Sequence, residues 1–96
     1  KPRKFEVCGK EMSLVEVRVL ILDIHCDGRK QVADILDNKS VHTINAHLAN
    51  IRNRYRLQGH WSIHRFGVQN GFFNQGYYQG EYLFDGYDKL PFEKKP

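Results

Sequence analysis

The 96-residue chain is short of the residues that build covalently stapled or membrane-embedded proteins. It has two cysteines, Cys8 and Cys26, too few for a disulfide framework, so a reducing, cytoplasmic setting is the simpler expectation. No apolar run approaches the roughly 18 residues of a membrane span, and no signal-like segment opens the chain. Neither membrane insertion nor secretion is expected. The length supports one domain with a modest core and excludes a multi-domain reading.

Chemistry-bearing patterns are equally sparse. Five histidines are present, and His60-x-x-x-His64 places two of them one helical turn apart. No C-x-x-C or H-E-x-x-H pattern accompanies them, so neither metal nor cofactor is expected. His25 and Cys26 are sequence neighbours, which on a helix point in different directions, and no acid stands ready to orient the histidine. There is no glycine loop before a helix to cradle phosphates. Nothing assembles an acid, a base and a nucleophile, and an enzyme is not expected.

Acidic residues are also missing between Ser40 and Gln58, and here the chain becomes informative. Lys and Arg exceed Asp and Glu by 15 to 11, for a net charge of +4. The segment from Arg29 to Arg56 alone carries a surplus of that size, which suits an anionic partner. Within it, Ile44, Leu48, Ile51 and Tyr55 recur at i, i+4, i+7 and i+11, one apolar stripe of a helix spanning 40–56. The opposite side carries His42, Asn45, Ala46, Ala49, Asn50 and Asn53, with Arg52, Arg54 and Arg56 toward the end. Amides can read base edges, small residues let the backbone approach, and guanidinium groups grip phosphate. The expectation is a recognition helix for the major groove of double-stranded DNA.

The preceding segments supply the scaffold. Residues 1–11 read as a basic arm or linker from a longer protein, with a short extended stretch at Phe5–Cys8. Ser13 and Glu16 form an S-x-x-E capping box, and Leu14, Val17, Leu20, Ile21 and Ile24 continue at helical spacing toward Asp27-Gly28, where glycine is the expected stop. This predicts a first helix over about 13–26, buried on a wide face. A short second helix follows over 29–37, with Val32, Ala33, Ile35 and Leu36 inward. Asp37-Asn38-Lys39 makes the turn, and Ser40 caps the third helix. Short helix, turn and amphipathic helix is the helix-turn-helix plan.

The residues then resemble a known family. Met12-Ser13-Leu14-Val15-Glu16-Val17-Arg18-Val19-Leu20 is similar to the L-T-x-R-E-x-x-V-L opening of the LuxR/NarL-type (GerE-like) DNA-binding domain. Lys30-Gln31-Val32-Ala33 with Leu36 resembles its K-E-I-A-x-x-L helix, and Ser40, Thr43, Ile44, His47, Ile51, Arg54 and Tyr55 match its recognition-helix pattern. The resemblance covers residues 12–57. Val15 stands where the family has Arg, the approach to the second helix is shortened to Gly28-Arg29, and the turn is one residue longer. What the resemblance implies is a bacterial transcription regulator's DNA-binding domain of four helices, working as a homodimer beneath an upstream domain of the same chain. By position, Asn45, Ala46 and Ala49 would face bases together with His42. Lys39, Ser40, Thr43, His47, Arg52 and Arg54 would contact the DNA backbone.

Residues 58–96 fall outside that pattern. They hold ten of the twelve aromatics and six of the eight glycines. Gly59 and the β-prone run Trp61–Val68 predict a strand where the family has its fourth helix. Asn70-Gly71 between apolar flanks predicts a hairpin turn, so residues 58–90 are read as a β-hairpin extension and 91–96 as a tail. The fold class expected is therefore mainly α: a three-helix core, a short N-terminal extended segment and a C-terminal hairpin. That order of elements also matches the winged-helix regulators of the OmpR type. A different function class stays open beside DNA binding: a protein-interaction or co-regulator module using an aromatic surface of Trp61, Phe72, Phe73, Tyr77 and Tyr78.

Overall fold

A computed structural model describes residues 4–36, 39–73 and 92–93. The first element is a β-hairpin, β1 (Phe5–Val7) and β2 (Lys10–Met12), antiparallel with Phe5 opposite Met12 and Val7 opposite Lys10. Phe5 and Val7 are fully buried while Glu6 between them is exposed, the period-2 alternation of a half-buried strand. The two turn residues, Cys8 at φ 52° and Gly9 at φ 79°, are both left-handed, which is what a two-residue type I′ connection requires. The extended stretch near Phe5 is thus one arm of a hairpin, and the return strand at Lys10–Met12 was not expected.

Helix α1 (Leu14–His25) starts with the predicted capping box. Ser13 Oγ accepts from the Glu16 backbone N–H at 3.2 Å, and Glu16 Oε1 accepts from the Ser13 N–H at 3.0 Å. Val17, Val19, Leu20, Ile21 and Leu22 are all fully buried, a width of apolar surface that one neighbour could not cover. Three helices pack on it. Gly28 does not end this helix. Cys26 does, in an extended conformation, and Gly28 is the N-cap of the next, at φ −162°. Only three residues separate the helices, and an extended path through them needs no left-handed glycine.

Helix α2 (Arg29–Ile35) buries Val32 and Ala33 and packs against α3 (Val41–Arg54). The predicted turn lies partly outside the described residues, at 37–38. Ser40 caps α3 as expected, its hydroxyl accepting from the Thr43 N–H at 3.1 Å. Ile44, Leu48 and Ile51 are fully buried and Tyr55 is half-buried, as the apolar stripe predicts. The helix ends in a Schellman motif: Arg56 is left-handed at φ 55°, and the Leu57 N–H reaches the Arg52 carbonyl at 2.8 Å.

Residues expected to form a strand are helix α4 (His60–Gln69), whose Ile63, Phe66 and Gly67 are buried at helical spacing. Asn70-Gly71 is not a hairpin turn but the end of that helix. Gly71 is left-handed at φ 84°, its N–H bonds the Val68 carbonyl at 3.2 Å, and the Phe72 N–H bonds the Gly67 carbonyl at 2.8 Å. Asn-Gly serves a helix C-terminus as well as a hairpin, because both need a left-handed residue. The mainly helical class stands, but the β-hairpin of the described residues sits at the N-terminus. Residues 58–73 hold no wing, and 74–91 lie outside the described residues.

Phe72 then turns fully inward and meets the ring of Phe92, centroids 5.5 Å apart. The Phe92 carbonyl accepts from the Glu6 N–H at 3.0 Å, and Glu93 bridges to Phe5. The two ends of the described chain therefore close over the same side of the core.

Candidate nucleic-acid interface

Three elements fix the end of α3. The C-terminal carbonyls of a helix carry its negative pole and lack partners of their own. Lys10 Nζ donates to one of them, Arg54 O, at 2.6 Å, and Tyr55 Oη donates back to the Lys10 carbonyl at 3.2 Å. Arg54 reaches in the same direction. Its Nη1 and Nη2 lie 2.7 and 2.9 Å from the two carboxylate oxygens of Glu16, and Nη1 is also 3.2 Å from the Glu11 carbonyl. The Tyr55 ring packs on Phe66 of α4, centroids 4.7 Å apart. The β-hairpin, the first turn of α1 and α4 all hold one end of α3.

Glu16 is a buried carboxylate with 5% of its surface exposed. Burial pushes its pKa up, but the hydrogen bonds from Arg54 and from the Ser13 N–H, with the Arg54 charge, outweigh that and hold it below the usual carboxylate range. Arg54 is raised in turn, chiefly by its hydrogen bond to Glu16. Arg54, assigned by position to the DNA backbone, thus has a partner inside the chain. A guanidinium committed bidentately to a buried carboxylate is neutralised and is not on offer to phosphate. Tyr55 is raised by its burial, so its hydroxyl stays protonated as donor.

The outer face of α3 is arranged as its sequence suggests. His42, Asn45 and Ala46 are exposed and Ala49 is half-buried. Lys39 and Ser40 are exposed at the start of the helix, whereas Thr43, His47 and Arg52 are half-buried on its flanks. The Ser40 and Thr43 hydroxyls pair with each other at 2.9 Å. Asn50, Asn53 and Arg56, further along, are exposed as well.

One participant was not singled out from sequence. Arg29, the first residue of α2, donates from Nη1 to Asn45 Oδ1 at 2.6 Å, and its Nε lies 3.7 Å from Asp23 Oδ1 of α1. The chain Asp23–Arg29–Asn45 ties one side chain of the α3 face to two other helices. Its only sequence signal was the membership of Arg29 in the basic stretch, since the contact spans 16 residues.

The aromatic set named for a protein interface does not come together. Phe72 is fully buried in the core and offers nothing to a partner. Phe73 is 55% exposed but stacks on His25, centroids 5.0 Å apart and planes 17° from parallel. Tyr77 and Tyr78 lie outside the described residues, as does the side chain of Trp61. Among the described residues, no group of three His, Cys, Asp or Glu side chains could hold a metal ion, and no helix is long and apolar enough to cross a membrane.

Compared with known proteins, the chain matches no family model, no curated protein and no solved structure.

Proposed function

We propose that the chain binds double-stranded DNA sequence-specifically through α3, laid in the major groove, as the effector domain of a transcription regulator. The observation that carries this reading is the outer face of α3. It is exposed, contains no acidic residue from Ser40 to Gln58, and alternates amides with alanines over a rigid, buried stripe. At about 1.5 Å per residue a 14-residue helix is about 21 Å long, ample to lie along a groove about 12 Å wide. A short helix packed beside it, joined through a turn near Lys39, supports the helix-turn-helix plan. Among the described residues the helices α1 to α4 number four, which is what the LuxR/NarL-type resemblance implies. On this reading His42, Asn45, Ala46 and Ala49 face bases, and Lys39, Ser40, Thr43, His47 and Arg52 face phosphates. Homodimerisation, an upstream sensing domain and a cytoplasmic location belong to the same proposal.

The test is selection from random duplexes followed by gel-shift titration at two salt concentrations. The expected result is a defined site, with Arg52→Ala weakening binding to every duplex alike and lowering the salt slope by about 0.9. A chain that selects no sequence, or an Arg52→Ala/Lys39→Ala variant that binds like the parent, would overturn the reading.

A further inference from the structure

We infer that Asn45 meets its base as a hydrogen-bond donor and so selects against cytosine, and that Arg29 is the residue that makes it do so. The inference rests on the DNA-binding reading and goes on to name what one position of α3 recognises. A free asparagine amide is ambivalent: its oxygen accepts, its nitrogen donates, and the group can present either edge. That ambivalence is what allows asparagine to pair with adenine, oxygen to N6–H and nitrogen to N7 together.

Here the choice is removed. The guanidinium of Arg29 has only donors, so the Asn45 atom 2.6 Å from its Nη1 is the carbonyl oxygen, and a flipped amide would set N–H against N–H. Among the described residues the Nδ2 amino group of Asn45 makes no hydrogen bond within the chain, and the residue is exposed. Asp23 holds the far side of Arg29, its Oδ1 3.7 Å from Nε. The guanidinium is thereby fixed from behind, with 27% of its side-chain surface exposed.

With its oxygen turned toward α2, Asn45 offers the groove a donor and no matching acceptor. The bases whose major-groove edge meets a donor are guanine, through O6 and N7, thymine, through O4, and adenine, through N7. Cytosine presents only its N4 amino group, and against it the oriented amide places N–H opposite N–H, whereas adenine keeps a single bond at N7. Arg29 is a positioning residue in this scheme: it acts on the base through Asn45.

The experiment compares the full chain with Arg29→Met, Arg29→Lys and Asn45→Ala in selection from random duplexes, followed by titration against single-base variants of the selected site. The parent chain is expected to reject cytosine at one position. Placing cytosine there should weaken binding roughly 5- to 150-fold, the range of one good base contact, and Asn45→Ala should abolish that preference. Arg29→Met should flatten the preference at that position to about threefold or less while preferences elsewhere in the site persist. Arg29→Lys keeps the charge but not the planar fork, and should flatten it too.

A readout free of DNA accompanies this. The side-chain amide signals of Asn45 in an amide nitrogen–proton NMR spectrum should move markedly in Arg29→Met, whose thermal unfolding reports whether it is folded. If the parent selects cytosine at the position that Asn45→Ala erases, or if Arg29→Lys keeps the full preference, the assignment is wrong while DNA binding stands. If the Asn45 amide signals are unmoved in folded Arg29→Met, the assignment fails in the same way. If the parent selects no duplex at all, the DNA reading falls and takes the inference with it.

Discussion

Arg54, near the end of α3, grips both carboxylate oxygens of Glu16 in the first turn of α1, at 2.7 and 2.9 Å. Glu16 is at once a capping residue and an ion-pair partner, so the start of one helix and the end of another are fixed by a single side chain. Removing either partner leaves the other short of bonds, and the cost is unequal. Arg54→Met strands a buried carboxylate and should destabilise by about 2–3 kcal/mol, below the full range for buried pairs because Arg54 is a third exposed. Glu16→Gln retains the cap and should cost less. In urea unfolding, the double substitution should be less destabilised than the sum of the singles by about 1–3 kcal/mol, and strict additivity would count against a direct pair.

The same pair sets an acid sensitivity. Glu16 is held below its ordinary range when folded, so its contribution is fully present above the unfolded value of about 4.3. The contribution is lost as pH falls through the lower folded value. Urea midpoints should therefore drop as pH is taken below about 4.5, and Glu16→Gln should flatten part of that drop. An equal acid slope in the variant would mean that other carboxylates carry it.

Gly67 allows α4 to lie close against α1. A Cβ there would overlap Ile24 Cδ1 and sit 3.4 Å from Leu20 Cδ1. Gly67→Ala should therefore destabilise, by about 1–3 kcal/mol for an overpacked core, although alanine is the better helix former. Ile24→Val removes the obstructing methyl, and the double variant should recover part of the loss. Stabilisation by Gly67→Ala alone would contradict the close approach.

Two helices end in the same motif with different residues in the left-handed position. Gly71 ends α4 without strain, whereas Arg56 ends α3 at φ 55°, a conformation that costs a residue with a Cβ roughly 1–2 kcal/mol. Arg56→Gly should raise stability by about 0.5–1 kcal/mol, and Gly71→Ala should lower it by about 1 kcal/mol. Differential scanning calorimetry would show the two shifts with opposite signs.

Arg52 and Arg54 stand two residues apart and, on the DNA-binding reading, should behave differently toward a duplex. Arg52→Ala should lower affinity for all duplexes with little change in melting temperature, while Arg54→Ala should lower the melting temperature first. Equal effects on binding at a temperature where both variants are folded would return Arg54 to the phosphate contacts.

The parts of this fold that were legible in the sequence are those carried by local rules. The Ser13/Glu16 capping box, the Ser40 cap and the stripe of Ile44, Leu48 and Ile51 each depend on residues within a few positions of one another. Where the reading failed, one signal had two physical meanings. Asn70-Gly71 marks a left-handed residue, which fits a hairpin turn or a helix end, and the apolar content of Trp61–Val68 suits a strand or a helix. Only the buried spacing of Ile63, Phe66 and Gly67 against α1 decides it. The hairpin of β1 and β2 escaped notice because Cys-Gly is a weak turn signal and each strand has only three residues. In the candidate site, which side chains face outward followed from periodicity. The partners of Arg54 and Asn45 did not, since Glu16 and Arg29 lie 38 and 16 residues away.

The narrow seam at Gly67 also constrains how such a chain can diverge. With the terminal methyl of Ile24 standing where a Cβ at 67 would go, drift at these two positions is coupled: a descendant that acquires a side chain at 67 has to turn or shed the end of the side chain at 24, or separate the helices. Any relative recovered in future can be asked that question from its sequence alone, and a bulky residue at both positions would mark a differently spaced bundle.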